Sequence, residues 1–185
     1  MNAIRPTTEV VRIHLPEWRD SLAVNQEIRR RLRAGLTDFL LTGARGDRLL
    51  LNAIDGPYEA RIRIDGDVGT ELARDFDADL IVVLVNGSAG SGAGMDMKSG
   101  TLYLRGPSGA LLGTGMRGGE ILAFGPIGSR AGHRATGGII RMAAEPGPMV
   151  LDRSPGCRTA PMQDGDPATR HILTVVAAMA TFGDV

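Results

Sequence analysis

The stretch Gly87-Ser-Ala-Gly90-Ser-Gly-Ala-Gly94-Met-Asp-Met-Lys-Ser-Gly100-Thr-Leu-Tyr-Leu-Arg105 decides the fold, because its pattern recurs twice more. Gly106, Gly109, Gly113 and Gly119 hold the same places in the second pass, and Gly125, Gly128, Gly132 and Gly138 in the third. Each step is 19 residues, and the same step links Leu102, Ile121 and Ile140. A fixed period near twenty residues marks a stacked-repeat architecture. Each unit has a glycine-rich half and a short alternating half, such as Leu102-Tyr-Leu104 or Ile121-Leu-Ala123. Alternation with period two argues for a strand. Glycine at fixed places argues for bends with positive φ, or for one backbone lying close on the next. A unit this short buries its apolar face only by stacking on its neighbours, which pairs the strands in parallel. No helical run fits between the strands, so a βαβ sheet is excluded. The expectation is an all-β chain: a right-handed, single-stranded parallel β-helix with a short N-terminal helical cap and a C-terminal helix.

Working outward from the repeat, the chain divides into a capping segment over 1–36, the β-helix over 37–145 and a loop with a helix over 146–185. Residues 8–15 alternate and read as a strand, and Pro16 to Asp20 as a turn. Asn25 reads as the N-cap of a helix over Gln26 to Leu32, with Ile28 and Leu32 on one face and Gly35 at its end. Strands follow at Asp38 to Gly43, Arg48 to Leu51, Arg61 to Gly66 and Ala78 to Val85. Gly66 and Gly87 are 21 residues apart, so the repeat starts loose and becomes regular. Five to seven coils are expected. Glu145-Pro-Gly-Pro148 breaks the pattern, and Arg153 to Gly165 reads as a loop over the last coil. Asp166-Pro167 reads as an N-cap followed by a first-turn proline. The helix over 168–181 places Ile172, Leu173, Val176 and Met179 on an apolar face. Open β-helix ends expose unpaired strand edges. The N-terminal helix and the C-terminal tail are the segments expected to cover them, with docking of the C-terminal helix on a partner as the alternative.

Composition narrows the function classes. The 185 residues carry 21 basic and 21 acidic side chains, which gives no electrostatic footprint for nucleic acid or an anionic membrane. Gly is 26 of 185 and aromatics are 4%, which suits narrow coils. No apolar run reaches the length of a membrane span. The start of the chain lacks the apolar core of a signal peptide, so a cytoplasmic protein is expected. A single cysteine, Cys157, leaves no internal disulfide framework and no multi-cysteine metal site.

Candidate chemistry is sparse. Gly113-Thr-Gly115-Met-Arg-Gly118 spells G-x-G-x-x-G, but a dinucleotide fingerprint needs a following helix and a distant acidic residue, and the repeat already explains the glycines. Lys98-Ser99 lacks the glycine spacing of a phosphate-binding loop. Cys157 has no neighbouring His and reads as a structural thiol. His14, His133 and His171 form a metal site only if cap, coil and tail converge. Asp75, Asp77 and Asp79 share one face if extended, either as a cation site or as a solvated edge. Arg29-Arg-Arg31 reads as a solvated helix face, with an anion site as the rival. Met95, Met97 and Met116 read as core filling.

The glycine framework resembles the GXGXG domain, the C-terminal β-helix of the glutamate synthase large subunit. That domain also occurs as a free-standing subunit of N-methylglutamate synthase type, and is related to a β-helical subunit of formylmethanofuran dehydrogenase and of the bacterial formyltransferase/hydrolase complex. The resemblance covers roughly residues 22–145 and is sharpest at Gly92-Ala-Gly-Met-Asp-Met-Lys-Ser-Gly100 and Gly113-Thr-Gly-Met-Arg-Gly-Gly119. Val24-Asn25 and Arg61-Ile-Arg-Ile-Asp-Gly66-Asp-Val-Gly69 also match. It implies a scaffold without catalytic, cofactor or metal residues of its own. The implied partners are amidotransferase and flavin-dependent synthase subunits, with FMN and an iron–sulfur cluster in those partner chains. Nucleic acid and membrane are not among the expected partners, and a homo-oligomer is compatible with the reading. A stand-alone enzyme, and a module that binds a small anion through glycine N–H groups at Gly87–Gly94 or its counterparts, are the other classes.

Overall fold

The structure, a computed structural model, describes residues 9–143, 147–162 and 167–183. Thr8, the Glu145-Pro146 break and the N-cap at Asp166 fall outside the described residues. Eight described strands form one parallel sheet whose spatial order is the chain order. They are β1 (Val10–His14), β2 (Asp38–Asp47), β3 (Glu59–Val68), β4 (Leu80–Val85), β5 (Thr101–Leu104), β6 (Glu120–Ala123), β7 (Ile139–Met142) and β8 (Arg158–Pro161). Every neighbouring pair is parallel, so the chain winds as a β-solenoid of about six turns. Leu102 pairs with Ile121 and Ile121 with Ile140, so the three residues 19 apart are piled one on another. A second bridge ladder links Val68, Ala89, Ser108 and Ile127 across the following bend.

The third side of each coil is a turn face. It runs over residues 49–54, 71–76, 92–97, 111–116, 130–135 and 149–154. Its first, third and fifth residues have positive φ in every coil, as at Leu49, Leu51 and Ala53 or Glu71, Ala73 and Asp75. The N–H groups of these residues alternate in direction. Glu71 N–H donates to Ser91 O in the next coil, Ala73 N–H to Leu50 O in the previous one, and Asp75 N–H forward again to Met95 O. The same three-bond rhythm recurs at Gly92, Gly94 and Asp96 and at Leu111, Gly113 and Gly115. Left-handed backbone normally costs a non-glycine residue about 1–2 kcal/mol. Between stacked coils such residues gain an inter-coil hydrogen bond, as at Ala53, Glu71, Leu111 and Arg134.

The periodic glycines therefore divide by cause. Gly87, Gly90, Gly106, Gly109, Gly125 and Gly128 sit at a corner where successive backbones touch. A Cβ on Gly106 would lie 2.5 Å from Gly87 O, and one on Gly125 2.5 Å from Gly106 C. Gly94, Gly113 and Gly132 occupy the central left-handed place of the turn face, and Gly100, Gly119 and Gly138 turn into the next strand with φ of +86°, +80° and +87°.

Several expected elements are corrected. The N-terminal helix, α1 (Ser21–Arg33), starts at Asp20, whose carboxylate accepts from Ala23 N–H at 2.9 Å; Asn25 is buried inside it. The strand expected at Arg48 to Leu51 is the first turn face, because Leu49 and Leu51 have φ of 57° and 59°. The loop expected over Arg153 to Gly165 contains β8, so the stack runs on past the third regular repeat. Met149, Leu151 and Arg153 hold its left-handed places without glycine.

The ends and flank are closed differently. Val24, Ile28 and Leu32 of α1 join the interior core with Leu50, Leu51 and Ile54, so α1 plugs the first coil. The C-terminal helix, α2 (Pro167–Ala180), does not cover the far end. It lies across the outer face of the sheet, where Ile172, Val175, Val176 and Met179 pack with Leu40, Leu84, Tyr103 and Leu122. Arg63 donates to the Met179 and Ala180 carbonyls at 3.1 and 2.7 Å, satisfying two of the unpaired groups at the helix C-terminus. Arg61 pairs with buried Asp38 at 2.6 Å and lies 5.4 Å from the centroid of the Phe182 ring. That holds the short 3-10 turn Thr181–Gly183 down on the same flank.

Candidate functional site

The residues that could carry chemistry are placed by the coils, and the coils keep them apart. His14 Nδ1 lies 3.0 Å from Thr42 Oγ1 on the first coil. His133 Nδ1 lies 3.2 Å from Asp152 Oδ2 on the turn face, and His171 is exposed on α2. The three do not meet. Asp75 sits on the turn face 3.6 Å from Arg74, Asp77 accepts from the Ser99 hydroxyl at 2.9 Å, and Asp79 is exposed before β4. The left-handed backbone at Asp75 breaks the extended run that would have aligned the three carboxylates. No cluster of three or more His, Cys, Asp or Glu side chains with metal-binding spacing occurs among the described residues.

Cys157 is buried in the interior core, and burial pushes its thiol pKa up, away from the reactive thiolate. Met97 and Met116 are fully buried; Met97 Cε and Met116 Cε press on the bends at Gly119 and Gly138. Met95 is half-buried on the turn face. The arginine run is spent locally. Arg29 donates to the Asn52 and Ala53 carbonyls at 2.7 and 3.0 Å, while Arg30 and Arg31 hold Glu27. These two guanidiniums, Arg30 foremost, lower the Glu27 pKa to about 2.

Many amides of the glycine-rich segments are engaged between coils. Gly113 N–H donates to Ala93 O and Gly115 N–H to His133 O, and the segment leads into β6 rather than a helix. At the corner, Ser88 N–H donates to Asp67 Oδ1, Ala89 N–H to Pro107 O and Gly90 N–H to Val68 O. The G-x-G-x-x-G segment thus spends its amides within the coil-to-coil ladder.

Asn25 has a different role from the N-cap that its sequence context suggests. The Leu51 N–H points backward along the stack, where the first turn face has no previous coil. Asn25 Oδ1 accepts it at 2.7 Å, and Asn25 Nδ2 donates to Leu49 O at 2.8 Å. One buried amide side chain thus stands in for an absent coil. Beside it, Asp20, Ser21, Leu22, Asn25, Asp47, Arg48, Leu49 and Asn52 line an open groove of about 460 Å³. Leu22 and Leu49 leave apolar surface exposed there.

What the arrangement presents is surface. The sheet flank is taken by α2 and the N-terminal end by α1. On the turn face Leu49, Arg130, Arg134, Met149 and Arg153 are exposed. No helix among the described residues is long and apolar enough to cross a membrane. No family model, curated protein or solved structure matches the chain.

Proposed function

We propose that this chain is a non-catalytic β-helix scaffold subunit of a glutamate-synthase-like complex, positioning an amidotransferase and a flavin-dependent synthase. One observation carries the reading. The glycine spacing that resembles the GXGXG domain coincides, coil by coil, with the left-handed places of the turn face and with the touching corners. The motif is thereby a prescription for a stack of fixed dimensions, and its residues act by building and not by reacting. A solenoid of this kind holds surfaces at set distances, because its coils are cross-linked on every side by backbone hydrogen bonds. In such a complex FMN and an iron–sulfur cluster belong to the partner chains.

Purification of the native protein under mild conditions, followed by mass spectrometry of what accompanies it, tests the reading. The expected companions are an amidotransferase with an N-terminal cysteine and a flavoprotein synthase. An amidohydrolase and a formyltransferase would move the scaffold to a formylmethanofuran-type complex. A chain that purifies alone and turns over a substrate would overturn the scaffold role.

A further inference from the structure

We propose that two copies of this chain pair antiparallel through their turn faces. The first-position column reads Leu49, Glu71, Gly92, Leu111, Arg130 and Met149 from first coil to last, and the fifth-position column reads Ala53, Asp75, Asp96, Gly115, Arg134 and Arg153. Charge is segregated along both columns. Glu71, Asp75 and Asp96 occupy early coils; Arg130, Arg134 and Arg153 occupy late ones. The early acids have Arg74 between Glu71 and Asp75, at 2.9 and 3.6 Å. The late coils carry His133 against Asp152 between their arginines. Arg130, Arg134 and Arg153 are exposed.

A two-fold axis lying in the face, perpendicular to the stack and midway along it, sets each column against itself in reverse. Glu71 then meets Arg130 of the second copy, and Asp75 meets Arg134. Leu49, 38% exposed, meets Met149, 52% exposed, so an apolar contact brackets each end of the charged centre. A symmetric interface must be self-complementary, and this reversal supplies that. A two-fold axis along the stack instead sets the early acids against acids and Arg130 against Arg134, which charge repulsion disfavours. The face is about 24 Å tall, at about 4.8 Å per coil. That is small for a permanent interface, so the pair is weak and sensitive to salt.

Sedimentation velocity of the full chain provides the test. At about 50 mM salt and high protein concentration the species with twice the 19.5 kDa chain mass is expected, dissociating at about 500 mM. The variants Glu71→Arg/Asp75→Arg and Arg130→Glu/Arg134→Glu should each be monomeric and folded by circular dichroism. Mixed together they should restore the dimer, because each supplies the charge the other lacks. A monomeric wild type at low salt overturns the proposal. So does a dimer that both variants retain, or a mixture that stays monomeric. If the first variant does not fold, the second with Asp96→Arg replaces the mixing arm: it should remain monomeric, and a dimer overturns the proposal.

Discussion

The early coils and the regular coils run the same backbone with different residues. From Leu51 to Ala73 the step is 22 residues and from Ala73 to Gly94 it is 21; thereafter each step is 19. In the early coils the central left-handed place of the turn face holds Leu51 and Ala73, both fully buried. In the regular coils it holds glycine. The difference lies in the space inside. A Cβ on Gly94 would stand 2.7 Å from Ile121 Cδ1, and one on Gly113 3.0 Å from Ile140 Cδ1. At those two coils the strand isoleucines reach across to the far wall; for Leu151, also 19 residues on from Gly132, Thr159 is the next residue in the isoleucine column. Glycine there is a matter of volume as much as of φ, since Leu51 and Ala73 hold the same φ without it.

The sharpest way to break that comparison is to give a regular coil the early coil's residue. Gly113→Leu is expected to cost about 3–5 kcal/mol, from overpacking against Ile121 and Ile140 plus left-handed strain. Thermal unfolding followed by circular dichroism reads the loss; an unchanged midpoint would mean the interior has slack. A smaller effect of opposite sign is expected at Ala53, where φ is 50° and Gly115 holds the equivalent place. Ala53→Gly should stabilise by about 0.5–1 kcal/mol, because it removes left-handed strain. Chemical denaturation measures it, and a loss of stability would show that the ladder alone sets the backbone at no cost.

The smallest effect separates the two regions by pH. The carboxylates held below their ordinary pKa, Asp20, Glu27 and Asp67, all lie on α1 or the early coils. For Glu27 the folded value is about 2 against an ordinary 4.5, with the Arg30 bond the main cause. Its contribution is fully present above about pH 4.5 and is lost as pH falls toward 2. Amide exchange should show α1 losing protection before β5 and β6 on acidification, and Glu27→Gln should reduce that difference. Uniform loss along the stack would remove the distinction.

These contrasts also explain what is legible in the sequence. The regular coils announce themselves because a narrow interior and touching corners demand glycine at a fixed interval. The coil carrying Met149, Leu151 and Arg153 is fainter: Gly147 and Gly156 keep the 19-residue step, but its left-handed places hold ordinary residues. The place of α2 leaves a subtler mark in the strands. Leu84, Tyr103 and Leu122 face outward, and strands apolar on both faces mark a sheet covered on both. Asn25 is invisible for another reason. Its partners are backbone groups 24 and 26 residues away, and no local pattern marks such a bond.

Asn25 and α1 have a consequence for growth. A column of parallel rungs lengthens without limit only if its top accepts the bottom of the next molecule. Here one pole is stoppered by a helix and a single amide, while β8 ends the other among the described residues. A molecule stacking its coil on the first turn face would have to displace α1 and break both bonds of Asn25, so head-to-tail growth is disfavoured there.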